Sequence, residues 1–178
     1  MSERLYRHPQ SPTLAIADLW VNLTPLADGA LVLAYTLSGD LGKLRLPAPC
    51  PAERRDGLWQ HSCFEVFIAE AGSEAYREFN FSPAGHWQAY DFDSYRHGGP
   101  LASALAPRIE VISQATYLTL TATLPAADLP PGPHLRLGLC AVLEAGDGRL
   151  AYWALRHGPD KPDFHRPDTF ALDLHLPE

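Results

Sequence analysis

One stretch of this sequence, YREFNFSPAGHWQAYDF from Tyr76 to Phe92, leaves the chain few ways to fold. It reads as a β-hairpin with a three-residue loop, in which Pro83 presets one φ and Gly85 takes the left-handed position that closes a type I turn with a bulge. Ser82 then stands opposite His86. The ladder continues as Phe81 with Trp87, Asn80 with Gln88, Phe79 with Ala89, Glu78 with Tyr90 and Arg77 with Asp91, and opposite residues share a face. One face therefore carries Phe79, Phe81, Trp87 and Ala89, closed by an Arg77–Asp91 ion pair, and must meet a core. The other carries Tyr76, Glu78, Asn80, Ser82, His86, Gln88 and Tyr90, a candidate ligand face of aromatic and hydrogen-bonding groups. A two-residue loop would slip the register by one and mix apolar with polar on both sides, so the pattern itself selects the longer loop.

The segments around the hairpin also read as strands. Ser62 to Ala69 puts Phe64, Val66 and Ile68 on one side and Cys63, Glu65 and Phe67 on the other. Ala15 to Leu23 and Ala30 to Leu37 flank the turn TPLADG. Tyr117 to Leu124 alternates, with Tyr117, Thr119, Thr121 and Thr123 facing one way and Leu118, Leu120, Ala122 and Leu124 the other. Arg108 to Ser113, His134 to Glu144, Arg149 to Arg156 and Phe170 to Leu176 add further strands, the last with Phe170, Leu172, Leu174 and Leu176 on one face. DSYRHGGPLASALAP after Phe92 reads as a long connection holding at most one turn of helix, which leaves Tyr95 and Arg96 near the hairpin's exit. About ten strands and no long amphipathic helix specify an all-β fold with little helix, an antiparallel β-sandwich of jelly-roll type. The 178 residues fit a single domain, 1–178.

Charge and cysteine use narrow the function. The formal charge is −7, and the 14 basic residues are scattered, so the footprint of a nucleic-acid binder is missing. No run approaches the ~20 apolar residues of a membrane span, and the start has no signal-peptide pattern; the expectation is a cytoplasmic protein with no membrane partner. Cys50, Cys63 and Cys140 are an odd count without CxxC spacing, which indicates neither a disulfide framework nor a zinc ribbon. There is no GxSxG elbow. Glu65 and Glu78 on adjacent strands could reach the roughly 5 Å separation of a retaining glycosidase, but nothing in the sequence marks either as the acid. Enzymatic activity is not expected, and a glycoside hydrolase stays as the weak alternative. His157, Asp160, Asp163, His165 and Asp168 have the residue types of a metal site in no recognised spacing. Met/His haem ligation would need an internal methionine, and the single Met is Met1; bis-His ligation stays open.

LWQHSCFEVFIAE, YREFNFSPAGHWQAYDF and YWALRHGPDKPDFHRPDTFALDL together give the chain a resemblance to the DOMON-like sandwiches of bacteria. That superfamily includes the family 9 carbohydrate-binding modules and the haem-binding DOMON domains. The resemblance, which runs from about Leu58 to the C-terminus, implies a binding domain on a β-sandwich. For the sugar-binding branch it implies a stacking Trp followed six positions later by a hydroxyl-binding Glu, here Trp59 and Glu65. It further implies a second stacking Trp late in the chain, for which Trp153 is the candidate, and an Arg contact, either Arg96 or Arg77. The branch's calcium-binding acidic residues near the N-terminus have no clear counterpart here.

The residues themselves point to non-catalytic binding of a small polar ligand, a sugar or glycoside. Trp59 at a loop-to-strand junction offers an indole face for pyranose C–H groups. Glu65, Glu78 and Asn80 supply carboxylate and amide partners for hydroxyls, in the company of Tyr76 and Tyr90, and Gln88 or Arg96 completes the set. No cofactor is required, with calcium and haem left open. The rival readings are a haem- or metal-binding sensor, and an interaction module in which the aromatic and polar hairpin face forms a homodimer.

Overall fold

The computed structural model describes residues 1–176. Its strands in chain order are β1 (Ser2–Arg4), β2 (Tyr6–Arg7), β3 (Ile16–Pro25), β4 (Leu31–Gly39), β5 (Cys63–Glu70), β6 (Tyr76–Phe81), β7 (Trp87–Ser94), β8 (His97–Pro100), β9 (Arg108–Ser113), β10 (Tyr117–Leu124), β11 (His134–Glu144), β12 (Leu150–Ala154) and β13 (Leu172–His175). They form two antiparallel sheets. One has the order β1-β3-β4-β10-β9, and the other β2-β12-β11-β5-β6-β7-β8. β13 joins the second sheet on the edge of β11 that β12 vacates, pairing His134 to Leu137 while β12 pairs Cys140 to Glu144.

The central hairpin has the register its residue pattern dictates. Phe81 pairs with Trp87, Asn80 with Gln88, Phe79 with Ala89, Glu78 with Tyr90 and Arg77 with Asp91. The Ser82 N–H donates to the His86 carbonyl at 2.8 Å, and Gly85 closes the loop at φ +94°. Arg77 Nε meets Asp91 Oδ1 at 3.1 Å, which makes the expected ion pair.

Between the sheets, Leu19, Val21, Leu33, Tyr35, Leu37, Leu118 and Leu120 from the first sheet face Phe64, Val66, Ile68, Phe79, Leu137 and Leu139 from the second. Each such side chain, taken fully out of water, contributes about 1.5–3 kcal/mol, and this layer is what holds the sandwich together. β10 shows the period-2 alternation its sequence predicts, with its Leu and Ala residues buried and its Thr residues partly exposed. β5 is different. Seven of its eight residues are buried, because its other face, around Phe67, packs a second apolar cluster with Tyr76, Cys140, Val142, Phe164 and Phe170. Something must therefore cover the outer side of the second sheet.

Two expectations need correction, and two strands come in addition. The segment after Phe92 is not an open connection: β7 runs on to Ser94, turns at Tyr95 and Arg96, and returns as β8, with a bulge between Phe92 and Ser94. The N-terminal residues add two short strands, β1 on β3 and β2 on β12, which have too few residues for any periodicity to register. Phe170 does not share a face with Leu174, because it caps the 3-10 turn Pro167–Thr169 ahead of β13. It stacks on Phe67 with ring centroids 5.9 Å apart, while Leu174 enters the main core.

Candidate functional site

The outer face of the second sheet carries the chemistry. Strand alternation sends Cys63, Glu65 and Phe67 from β5, Tyr76, Glu78 and Asn80 from β6, and Gln88, Tyr90 and Phe92 from β7 to this side. The segment Lys161 to His165 folds over them, and the 3-10 turn Leu58–Gln60 sets Trp59 at the edge. Between them lies a cavity of about 560 Å³, within the size range of small-molecule sites.

Two carboxyl groups form its floor. Glu65 is 2% exposed and Glu78 is 5% exposed. Burial raises Glu65 well above the ordinary carboxyl range, and the neighbouring charge of Glu78 adds to the effect. Burial also pushes Glu78 up to about 7, even though the hydrogen bond from Asn80 and the charge of Arg96 pull it down. That bond runs from Asn80 Nδ2 to Glu78 Oε1 at 2.8 Å. Glu65 Oε1 has no hydrogen-bond partner within the protein. A buried, unpaired carboxyl oxygen costs stability unless something else satisfies it, so an unpaired one in a cavity marks a place for a donor.

The wall opposite is a linked set of polar groups. The Arg96 N–H donates to Tyr76 Oη at 3.0 Å, and Tyr76 Oη lies 2.8 Å from His165 Nδ1. Since Tyr76 accepts from Arg96, its own proton is directed at Nδ1. Burial, reinforced by the Arg96 charge, lowers His165 to about 4. The ring is therefore neutral at pH 7, with its proton on Nε2, 3.6 Å from Glu78 Oε2. Arg96 Nη2 pairs with Asp163 Oδ1 at 2.8 Å, and Tyr95 Oη donates to the same carboxylate. Burial works against the Asp163 charge, but the hydrogen bonds from Tyr95 and Arg96 hold its carboxyl below the usual range. Arg96 adopts φ +57°, a left-handed conformation that a side-chain-bearing residue takes at a cost and that clusters at functional sites.

The expected site residues fall into three groups. Trp59, Glu65, Glu78, Tyr90 and Arg96 line the cavity. Trp59 is 44% exposed and meets Tyr90 edge to face, centroids 6.1 Å apart. Tyr76, Asn80 and Gln88 support these: Tyr76 and Asn80 act through His165 and Glu78, and Gln88 Nε2 donates to Asp56 Oδ1 at 2.7 Å, which also accepts from Tyr90 Oη at 3.0 Å. Trp153 is the correction. It pairs with Ala141 on the core side of β12 and packs between the sheets, because alternation places Tyr152, not Trp153, on the cavity side. Of the two candidate arginines, Arg77 is spent on Asp91 and on the carbonyls of Asp128 and Leu129.

Phe92, Tyr152 and the Lys161 to His165 segment line the cavity without having been singled out for it. Parity alone would have found Phe92, which lies opposite Tyr76. No sequence signal says where a proline-rich loop will land. His157, Asp160, Asp163, His165 and Asp168 do not converge, and among the described residues no group of three or more His, Cys, Asp or Glu side chains is placed to hold a metal ion. Ser82 and His86 face a separate groove of about 710 Å³ beyond the hairpin loop, where Cys50 Sγ lies 3.2 Å from His86 Nε2.

No protein-family description matches this sequence, and no curated protein does. Solved structures do. A candidate carbohydrate-binding protein from Bacteroides uniformis superposes with a TM-score of 0.72 at 14% identity, covering 99% of this chain and 86% of that one. A family 9 carbohydrate-binding module from Caldicellulosiruptor kristjanssonii in complex with cellotriose gives 0.61 at 12% identity, covering 93% and 77%. In complex with glucose, a family 9 module from the same organism gives 0.56 at 13% identity, covering 94% and 80%. The fold is thus that of a carbohydrate-binding-module sandwich.

Proposed function

We propose that the cavity binds a small hydroxyl-rich ring, a sugar or glycoside, without catalysing a reaction on it. The observation that carries this reading is the pairing of an exposed indole, Trp59, with two buried carboxyls, Glu65 and Glu78, across one cavity. A pyranose has the same two-sided character. Its C–H face packs on an aromatic ring while the hydroxyls around its edge exchange hydrogen bonds with polar groups. Trp59 and Tyr90 supply the apolar wall, Glu65 and Glu78 the hydroxyl partners on the floor, and Arg96 the guanidinium at the mouth. Asn80, Tyr76, His165 and Gln88 keep these groups in place.

The neighbouring structures support the reading through the fold they share, two of them holding cellotriose or glucose. The DOMON-like motifs of the sequence, and with them a bacterial origin, belong to the same proposal. Hydrolysis needs one carboxylate ionised beside a protonated carboxyl, and burial here raises both groups, Glu78 to about 7 and Glu65 well above the ordinary range; turnover of a glycoside on incubation with the protein would replace the binding reading with a hydrolytic one.

Calorimetric titration of the full chain against a panel of mono- and oligosaccharides tests the reading. Saturable heat with one site per chain is expected, of modest affinity because a single monosaccharide makes few contacts. A flat response across the panel from a folded protein would refute it, and a dimer that dissociates when Tyr90 is replaced by Ala would favour an interaction surface instead.

A further inference from the structure

The floor of the cavity has more acid than the protein matches. Glu65 is buried, lines the cavity and leaves Oε1 without a partner. The titratable groups around it are Glu78 on β6, Cys63 on its own strand, Cys140 on β11, and Tyr35, whose hydroxyl is committed to the Glu65 carbonyl at 2.8 Å. None of these is a cation. At the mouth, Arg96 is neutralised by Asp163, His165 is uncharged at neutral pH, and Lys161 stands exposed on the covering segment. Glu78 Oε2 has only the His165 ring, 3.6 Å away.

Resting on the sugar-binding reading, we propose that the ligand carries a cationic amine, as an amino sugar or its glycoside does, and that its ammonium docks on Glu65 and Glu78 while its ring packs on Trp59. The donor count fits. An ammonium has three N–H donors and no acceptor, and two carboxylates have acceptors only, so one group can satisfy the unpartnered Glu65 Oε1 and also reach Glu78. A hydroxyl, with one donor and two lone pairs, suits one ionised and one protonated carboxyl, so what sets an ammonium apart is that it takes both as carboxylates. The aromatic faces of Trp59, Tyr90 and Phe92 around the floor attract a cation through the ring quadrupole, and the net charge of −7 draws cations in from solution. An entering ammonium stabilises the ionised carboxylates, so both glutamates release protons that burial had made them keep. The chemistry is ionic: the bonds broken are the carboxyl O–H bonds of the glutamates, whose protons pass to the buffer, and the ligand's own bonds stay intact.

The test is a calorimetric comparison of D-glucosamine and D-galactosamine with D-glucose and D-galactose at pH 6, where the amines are charged, run in two buffers of different ionisation enthalpy. An amino sugar is expected to bind about tenfold or more tightly than its neutral parent, the worth of one added charge-assisted hydrogen bond, and to release protons into the buffer. Glu65→Gln, which keeps the shape of the side chain, is expected to bring the amino sugar down to the level of the neutral one. Proton release in the wild type gives the same answer should that variant fail to fold. Neutral sugars binding as tightly as amino sugars, without proton release, would overturn the amine and leave the sugar reading standing. No saturable heat from any of the four would overturn both.

Discussion

Asn80 Nδ2 donates to Oε1 of Glu78, two residues away on the same strand, at 2.8 Å. The pair is buried, and Asn80 Oδ1 has no partner of its own. The amide thus serves the carboxyl, orienting it at the cavity floor and favouring its ionised form.

Removing that donor moves Glu78 in a known direction. In Asn80→Ala the carboxyl is expected to titrate above about 7, since the bond that lowered it is gone while burial remains. The loss of a bond to a buried carboxyl is expected to cost about 1–3 kcal/mol. Carboxyl NMR titration and denaturant unfolding read the two effects.

Stability depends on pH through the same floor. Glu78 is raised from the ordinary 4.5 to about 7, and Glu65 is also raised, so the folded chain holds protons that the unfolded chain has lost. Their stabilising contribution is complete below about pH 4.5 and is lost as pH rises through the folded values, on the order of 3 kcal/mol from Glu78 alone. His165, lowered from 6.5 to about 4, acts in the opposite sense: its contribution is present above 6.5 and lost as pH falls toward 4. Between those limits the effects oppose, and above pH 6.5 only the glutamates act. Unfolding free energy is expected to fall as pH rises from 6.5 to 8, and to fall less in Glu78→Gln.

Arg96 separates backbone strain from side-chain chemistry. At φ +57° glycine would sit without cost, and any other residue pays for its Cβ. Arg96→Gly is expected to be about 1 kcal/mol more stable than Arg96→Ala, while both lose the ion pair with Asp163 and weaken ligand binding alike. Thermal melts and binding titrations of the two variants make the comparison.

Trp153 and Trp59 should respond in opposite ways. Trp153, packed between the sheets, is expected to cost about 3–5 kcal/mol on change to Ala, and Trp153→Phe is expected to bind ligand as the wild type does. Chemical denaturation and a single titration decide this.

The hairpin was legible because its register is over-determined: the proline and glycine fix the loop, and a slip of one residue would send Phe79 and Glu78 to the wrong faces. The same parity put Glu65, Glu78 and Tyr90 on one side. Trp153 failed by that rule as well, since it is Tyr152 that lies on the cavity side of β12. What parity cannot reach is the third dimension of loops. The landing of Asp163, Phe164 and His165 over the sheet depends on contacts with Phe67, Tyr76 and Arg96, more than 60 residues away, and no local pattern encodes these. Sequence alternation also could not tell that Asn80 and Gln88 support the site instead of lining it, because it gives the face and not the depth.

The most direct measurement is the intrinsic fluorescence of the wild type and Trp59→Ala during sugar titration. Of the four tryptophans, Trp87 and Trp153 are buried, and Trp20 sits on β3 in the other sheet, which leaves Trp59 as the indole a ligand in the cavity can reach. Saturable quenching in the wild type, absent from a Trp59→Ala protein that melts as the wild type does, is the predicted result. Quenching that persists unchanged in Trp59→Ala would place the ligand elsewhere and contradict the account.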